Sequence, residues 1–328
     1  MMVFYPLSLL YGFFVYIRET LYKYKILPSY KVKTKVLSVG NLTFGGTGKT
    51  PTVDFLLENL KKDKKIAVLS RGYGRTTSGF FKVNPADPKA ASVFGDEPVL
   101  LAKNHPEVPV YVCENRVEGC EQIEKEAIFD LIIADDAFQH LKLKKDIDVV
   151  VIDATEKFQN YNYPPVGRAR NSFSYLKRAD FVFLTKTNLC STEELNKIRE
   201  VLKKYPVAEF ESQIDSFYDL KSNQKIQTQF RDVTLVSGIG KPKTFEDLIK
   251  KNYPNLSIKK HYAFKDHHAY KESDILRIKA ESENGILLTT EKDAVKLQKF
   301  SEQLNFLVAK LKFVNQRSMD KFFYEVLH

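Results

Sequence analysis

Cysteine is scarce in this chain: Cys113, Cys120 and Cys190 are the only three in 328 residues. They form no C-x-x-C pair and no even set, which argues against structural zinc and a disulfide framework and fits a reducing compartment. The six histidines are scattered apart from His267-His268, so no cluster with metal-ligand spacing stands out. There is no internal repeat, no low-complexity tract and no nucleic-acid recognition motif. Acidic residues are outnumbered, 41 against 51 basic, for a net charge of +10. That excess calls for an anionic partner: nucleic acid, a membrane surface or a polyanionic substrate. What remains is ordinary for a globular protein, with 43% hydrophobic and 28% charged residues and length enough for two domains.

Residues 1–17 carry no ionisable acid or base except tyrosine, and no long membrane span either. As a helix, 17 residues reach about 26 Å, short of a bilayer core of about 30 Å. Arg18, Lys23, Lys25, Lys31, Lys33 and Lys35 follow, against Glu19 alone. A secretory signal would place its charge before the apolar run and end at small residues; neither holds. Two readings stand: a helix in the interface of an anionic leaflet, or one buried on the protein's own core.

The richest stretch is 36–60. Val36, Leu37 and Val39 read as a buried parallel strand, and Val53, Leu56, Leu57 and Leu60 as one face of a helix. Between them lies a glycine-rich loop, Thr43, Phe44, Gly45, Gly46, Thr47, Gly48, Lys49 and Thr50. In that context backbone N–H groups and the helix N-terminus cradle phosphate, Lys49 reaches the β/γ-phosphates, and the Thr50 hydroxyl ligates Mg²⁺. The strict phosphate-loop pattern wants glycine where Thr43 stands, so the turn is a variant form.

Downstream, strand Ile66–Leu69 feeds Ser70-Arg71-Gly72-Tyr73-Gly74-Arg75, a basic loop placed to meet phosphate. Residues 76–94 read as a long loop. Gly95-Asp96-Glu97-Pro98 opens a helix in which Asp96 serves as N-cap. Cys113 and Cys120 read as packing residues. Leu131 to Asp136 is an apolar strand ending in two acids, 85 residues after Thr50, the pattern of a Mg²⁺-holding carboxylate. Gln139 and His140 could face the nucleotide, and the loop Pro164–Arg170 brings two more arginines. Strands at 108–112, 147–152, 181–184 and 207–211 complete a doubly wound, mostly parallel α/β domain. The polar stretch 219–229 reads as a linker to a second, smaller α/β domain. The expected division is 1–34 for the N-terminal helix and basic segment, 35–227 for the phosphate-loop domain and 228–328 for the rest. The cleft between the two is the expected site for a second substrate.

Taken together the motifs resemble the tetraacyldisaccharide 4′-kinases of lipid A biosynthesis. They are S-V-G-N-L-T-F-G-G-T-G-K-T-P (38–51), S-R-G-Y-G-R (70–75), G-D-E-P (95–98), D-D-A-F-Q-H (135–140), Gly167–Arg170, S-G-I-G-K-P-K-T-F (237–245), F-K-D-H (264–267) and T-E-K-D-A-V-K (290–296). The resemblance implies phosphoryl transfer from ATP, with Mg²⁺, to the 4′-hydroxyl of a tetraacylated disaccharide 1-phosphate. It also implies peripheral attachment to the cytoplasmic face of the inner membrane, and no nucleic-acid partner. On this resemblance Asp96 is the catalytic aspartate and His267 its partner, Lys49 acts on the phosphates, and Asp135 and Asp136 are linked to the metal. Arg71, Arg75, Gln139, His140 and Arg170 are candidate contacts to substrate or phosphate. The family's Leu-Arg-Glu is replaced here by Ala169-Arg170-Asn171, which removes any role for a following glutamate. The rival reading is a membrane-associated switch ATPase of the ParA/MinD type, but the signature lysine of that class is Phe44 here.

Overall fold

The computed structural model describes residues 4–227, 230–282, 285–315 and 319–328. Residues 1–3 of the N-terminal run and 228–229 of the expected linker, at the expected domain boundary, lie outside them. The chain opens with helix α1 (Tyr5–Lys23), then strand β1 (Lys35–Asn41) and helix α2 (Lys49–Leu60). Next come β2 (Ile66–Ser70), β3 (Phe81–Lys82), α3 (Ala90–Phe94), α4 (Asp96–Asn104), β4 (Val110–Val112) and α5 (Arg116–Glu126). β5 (Leu131–Asp135), β6 (Ile147–Asp153), β7 (Phe181–Thr185), α6 (Thr192–Leu202) and β8 (Val207–Asp219) follow. The second half holds β9 (Lys225–Ile226), β10 (Asp232–Ser237), α7 (Pro242–Asn252), β11 (Ser257–Ala263) and α8 (Glu272–Glu281). It ends with β12 (Ile286–Thr290), α9 (Glu291–Leu297), β13 (Phe306–Asn315) and α10 (Asp320–Leu327).

All the strands join in one sheet of order β11-β10-β12-β13-β8-β7-β6-β1-β5-β2-β4-β3, with β9 paired to β8. β1 lies parallel between β5 and β6, in register Val39 to Asp135 and Asn41 to Val151. The chain builds outward from β1 first on one side and then on the other, so the carboxyl ends of these strands open a crevice there. The apolar runs behave as buried strands: every residue of β5, β6 and β7 is shielded from water. α2 lays Val53, Leu56, Leu57 and Leu60 on the sheet with no exposure at all. Each such side chain contributes roughly 1.5–3 kcal/mol, which fixes the helix that carries Lys49.

Two expectations change. The strand expected at 207–211 runs on to Asp219, parallel to β7 at its start and antiparallel to β13 from Phe210 onward. The stretch expected as a linker therefore starts on the end of a strand and contains β9, a short return against it. Residues 76–94 are not simply a loop, since β3 pairs with β4 and α3 leads into α4.

α1 is not buried on the core. Only Ser8 and Glu19 are shielded, while Leu7, Leu9, Leu10, Phe13, Phe14 and Tyr16 are exposed, Leu9 by 72%. Polar contacts hold it: Ser8 Oγ donates to the Tyr163 carbonyl (2.7 Å) and Glu19 pairs with Arg178 (3.3 Å). No helix among the described residues is long and apolar enough to cross a membrane.

A part-buried polar chain that starts from Asp54 of α2 ties the halves together. His105 Nε2 lies 3.0 Å from Asp54, and Asn104 Nδ2 donates to both Asp54 (3.0 Å) and Glu291 (3.3 Å). The Leu311 N–H donates to the other Glu291 oxygen (3.0 Å). Burial pushes Glu291 up to about 7, with Asp54 adding to it, against the pull of Leu311, Lys310 and Asn104. A carboxyl raised by folding gives full stability below its unfolded pKa and loses it as pH rises through the folded value. Glu291→Gln should thus match the wild type near pH 4.5 and exceed it by on the order of 1–3 kcal/mol at pH 8. Chemical denaturation at the two pH values checks this; an equal difference at both would contradict it.

Candidate active site

The glycine-rich loop is held from below by Asn41, the last residue of β1. Its side-chain amide donates to the Thr43 carbonyl and to Thr47 Oγ1, both at 2.7 Å. Thr43 pairs as an isolated antiparallel bridge with Ala169, and the Phe44 N–H donates to the Arg168 carbonyl (2.7 Å). Thr43 sits in extended backbone, so threonine serves where the strict pattern has glycine. The left-handed positions fall instead on Gly45 (φ 107°) and Gly48 (φ 95°), and Gly48 caps α2. A side chain at Gly45 would start 2.7 Å from the Arg168 guanidinium. The turn thus leaves N–H groups and the N-terminus of α2 facing the crevice.

At the end of β5 the two acids part company. Asp136 has left-handed backbone (φ 53°) and takes both oxygens to Arg170 NH1, at 2.8 and 2.9 Å, with Lys49 Nζ at 3.7 Å. Withdrawal from water pushes its pKa up, but Lys49 and Arg170 more than offset this and hold it at about 2. Asp135 is buried, accepts from Ser70 Oγ (3.0 Å) through one oxygen, and leaves Oδ1 with no hydrogen-bond partner. Burial, then Glu97 and Asp136, push Asp135 up to about 7 against Lys49 and Arg116. An orphaned carboxylate oxygen beside the glycine-rich loop has the chemistry of a ligand for a hard cation.

Asp96 opens α4, but it is not the cap that its sequence context suggests. Gly95 (φ 93°) holds the N-cap position, and the Asp96 side chain reaches only the adjoining Glu97 N–H (3.0 Å). Freed from capping, the carboxylate meets His267, whose Nδ1 lies 3.1 Å from both its oxygens. Lys296 Nζ stands 3.4 Å from Oδ2. Burial pushes Asp96 up, yet His267, Lys292 and Lys296 prevail and hold it at about 2. His267, in left-handed backbone (φ 57°), packs against the Tyr73 ring with centroids 5.0 Å apart.

Most of these groups line one cleft of about 1210 Å³ between the two halves; Asp96 touches His267, and Lys296 touches Asp96, without lining it. The loop 44–50, Arg71, Asp135, Asp136, Gln139, His140, Arg170 and His267 all face it. Tyr11, Phe14, Val15 and Arg18 of α1 form part of its rim. Gln139 Nε2 donates to the Asn41 carbonyl (2.6 Å), bracing the loop. His140 is pushed down to about 4 by burial and by Arg116 and Lys145, so it is neutral near pH 7. Arg75 does not itself line the cleft: its guanidinium is tied to Glu114 (2.5 Å), which does, and to the Gly79 carbonyl (2.7 Å).

Several residues were not legible as site residues. Arg116 is buried and donates to the Asp135 carbonyl (3.0 Å); nothing in its local sequence marks it. Lys186 and Lys241, one from each half, share Asp153 Oδ2 at 2.7 and 2.9 Å. Lys292 contacts Glu97 and the His267 ring, both at 3.1 Å. The spacing of Lys292 and Lys296 behind Thr290, which caps α9, was a readable signal, because i and i+4 share a helix face.

The fold agrees with comparison to known proteins. The tetraacyldisaccharide 4′-kinase of Bdellovibrio bacteriovorus is 39% identical over 303 residues, 89% of this chain and 88% of that one. The tetraacyldisaccharide 4′-kinase of Flavobacterium psychrophilum is 34% identical over 331 residues, covering 97% and 94%. The crystal structure of the "apo" form of LpxK from Aquifex aeolicus in complex with ATP superposes with a TM-score of 0.80. It is 28% identical and covers 100% of this chain and 99% of that one. The sequence pattern of the tetraacyldisaccharide-1-P 4′-kinases runs the whole length of the chain, residues 1–328, and the chain belongs to that family.

Proposed function

We propose that the cleft moves the γ-phosphoryl group of ATP onto the 4′-hydroxyl of a tetraacyldisaccharide 1-phosphate, with Asp96 as the proton acceptor. The observation that carries this is the Asp96–His267 pair, drawn from opposite halves, in which His267 lines the cleft that holds the phosphate loop and Asp96 is hydrogen-bonded directly to His267. The full-length family match favours a kinase over a switch ATPase. Gly45 to Thr50 would wrap the phosphates, with Lys49 against the transferring group. A carboxylate held near 2 is ionised throughout the working range, and it takes the hydroxyl proton late, once bonding to phosphorus has made that proton acidic.

Among the described residues no group of three or more acidic, histidine or cysteine side chains could hold a metal alone. Mg²⁺ takes one or two protein ligands and completes its shell with phosphate and water. Asp135 Oδ1 and the Thr50 hydroxyl are the groups that would hold it, since Asp136 is engaged by Arg170 and Lys49. Bound there, Mg²⁺ supplies positive charge to the β- and γ-phosphate oxygens.

The exposed apolar residues of α1, continuous with the cleft rim at Tyr11, Phe14 and Val15, support docking on the inner membrane from its cytoplasmic side. The substrate's acyl chains would then stay in lipid while its sugar enters the cleft. The charge of +10 suits an anionic glycolipid surface, with no nucleic acid involved.

Incubation with γ-labelled ATP and a monophosphorylated lipid A disaccharide should place label in the lipid; release as inorganic phosphate alone would contradict the reading. Lys49→Ala should lower turnover on the order of 10³-fold with the fold intact. Asp96→Asn should lower it steeply with little change in melting temperature, and wild-type turnover in that variant would remove Asp96 from catalysis. Deleting residues 1–27 should move the protein toward the soluble fraction, whereas salt should extract the full chain only partly, since apolar burial is not screened. Unchanged membrane association after the deletion would refute the docking role.

A further inference from the structure

His267 sits between one close partner that only accepts and one that only donates, with Asp266 Oδ1 farther off at 3.8 Å from Nε2. Nδ1 lies 3.1 Å from each oxygen of Asp96, and Nε2 lies 3.1 Å from Lys292 Nζ. An ammonium group carries three N–H donors and no lone pair, so Nε2 must offer its own lone pair to Lys292. The ring proton is then on Nδ1, where the Asp96 carboxylate accepts it. Lys292 is kept charged for this task. Partial burial works against its charge, but Glu97, Asp96 and Asp266 more than compensate and raise its pKa. The ammonium is also aimed, with Glu97 Oε1 at 3.1 Å and Asp266 Oδ1 at 3.4 Å on its other sides.

The same fold contains the opposite arrangement. Buried His105 turns Nε2 to Asp54 Oδ1 (3.0 Å) and Nδ1 to Lys61 Nζ (3.1 Å). By the same donor and acceptor logic its proton resides on Nε2. Two histidines, each between a lysine and an aspartate, are thereby set in opposite tautomers by the direction in which each ring faces.

We infer that Lys292 is a positioning residue that occupies the Nε2 lone pair of a His267 ring whose proton Asp96 holds on Nδ1, and so decides which member of the pair takes the substrate's proton. The inference rests on the reading of Asp96 and His267 given above. With Nδ1 already protonated and Nε2 covered by Lys292, the imidazole has no free lone pair to offer a hydroxyl. The arrangement in which histidine is the base and aspartate only orients it needs an open ring nitrogen, and none is left. The proton must go to Asp96, while His267 holds that carboxylate in place through a single N–H. Lys296, one helical turn further along α9, adds a second cation 3.4 Å from Asp96 Oδ2. The T-E-K-D-A-V-K segment therefore serves the pair from behind.

The test is nitrogen NMR of the ¹⁵N-histidine-labelled full chain in detergent, with His267 assigned by its loss in His267→Gln. The wild type should show His267 as Nδ1–H and His105 as Nε2–H, the latter an internal reference in the same spectrum. Lys292→Met should leave the proton on Nδ1 but move the bare Nε2 resonance downfield as its hydrogen bond is lost, and lower kcat about 10²-fold, with KM for ATP changed by less than about threefold. Lys292→Arg, another donor-only cation, should return the Nε2 resonance and most of the lost turnover. If Lys292→Met does not fold, Lys292→Leu replaces it, because that side chain offers Nε2 no donor either. A wild-type His267 protonated on Nε2 would overturn the inference. So would a Lys292→Met spectrum in which the Nε2 resonance does not move, whatever its turnover. Full turnover in Asp96→Asn would instead sink the catalytic reading of the pair and leave the tautomer assignment standing.

Discussion

The cleft depends on one electrostatic constraint: cations aimed at a future anionic ligand must be held in place before that ligand arrives. Left alone, Lys49, Arg170, Lys186, Lys241, Lys292 and Lys296 would repel one another and turn toward water. Carboxylates placed among them prevent this. Asp136 lies between Lys49 and Arg170, and Asp153 takes Lys186 and Lys241 on a single oxygen. Glu97 and Asp266 hold Lys292, and Asp293 holds Lys296 at 3.1 Å. Because Lys241, Lys292 and Lys296 come from the second half, the same pairs that shape the cleft also help to close the two halves around it.

Asp135 stands apart from this pattern. It has a neighbouring cation in Arg116, yet one of its oxygens stays without a hydrogen bond; Asp293 Oδ1 also lacks one but has Lys296 at 3.1 Å. Asp135 is for that reason the carboxylate proposed above as a Mg²⁺ ligand. The contrast with Asp136, one residue away, arises from backbone alone: β5 ends at Asp135, and the left-handed turn at Asp136 sends the next side chain toward Arg170.

The sequence made the strands, the glycine-rich loop and the paired acids readable, because apolar runs and turn glycines are local signals. Long-range pairing was less so. The course of β8 through 211–219 was missed because its residues are mixed in polarity, Glu211, Ser212, Gln213 and Asp215 among them, and its partner β13 lies nearly a hundred positions away. Asp96 illustrates the same limit at the site. Its context reads as a cap, and only the backbone conformation at Gly95 shows that the carboxylate is free for other work. Arg75 fails for the opposite reason: it belongs to a motif that faces phosphate, but Glu114, 39 positions downstream, captures it.

The long antiparallel ladder between β8 and β13, from Phe210–Asn315 to Asp219–Leu307, has a consequence for how the protein can be divided. Cutting the chain near residue 227 would leave each fragment with one member of that ladder, its N–H and C=O groups bare along most of its length. Bare ladders of that kind recruit other strands, so fragments made this way should stick to one another or to themselves. For the same reason the halves should not melt separately: a perturbation in the nucleotide half reaches the other through a strand they share, and the chain should unfold as one cooperative unit.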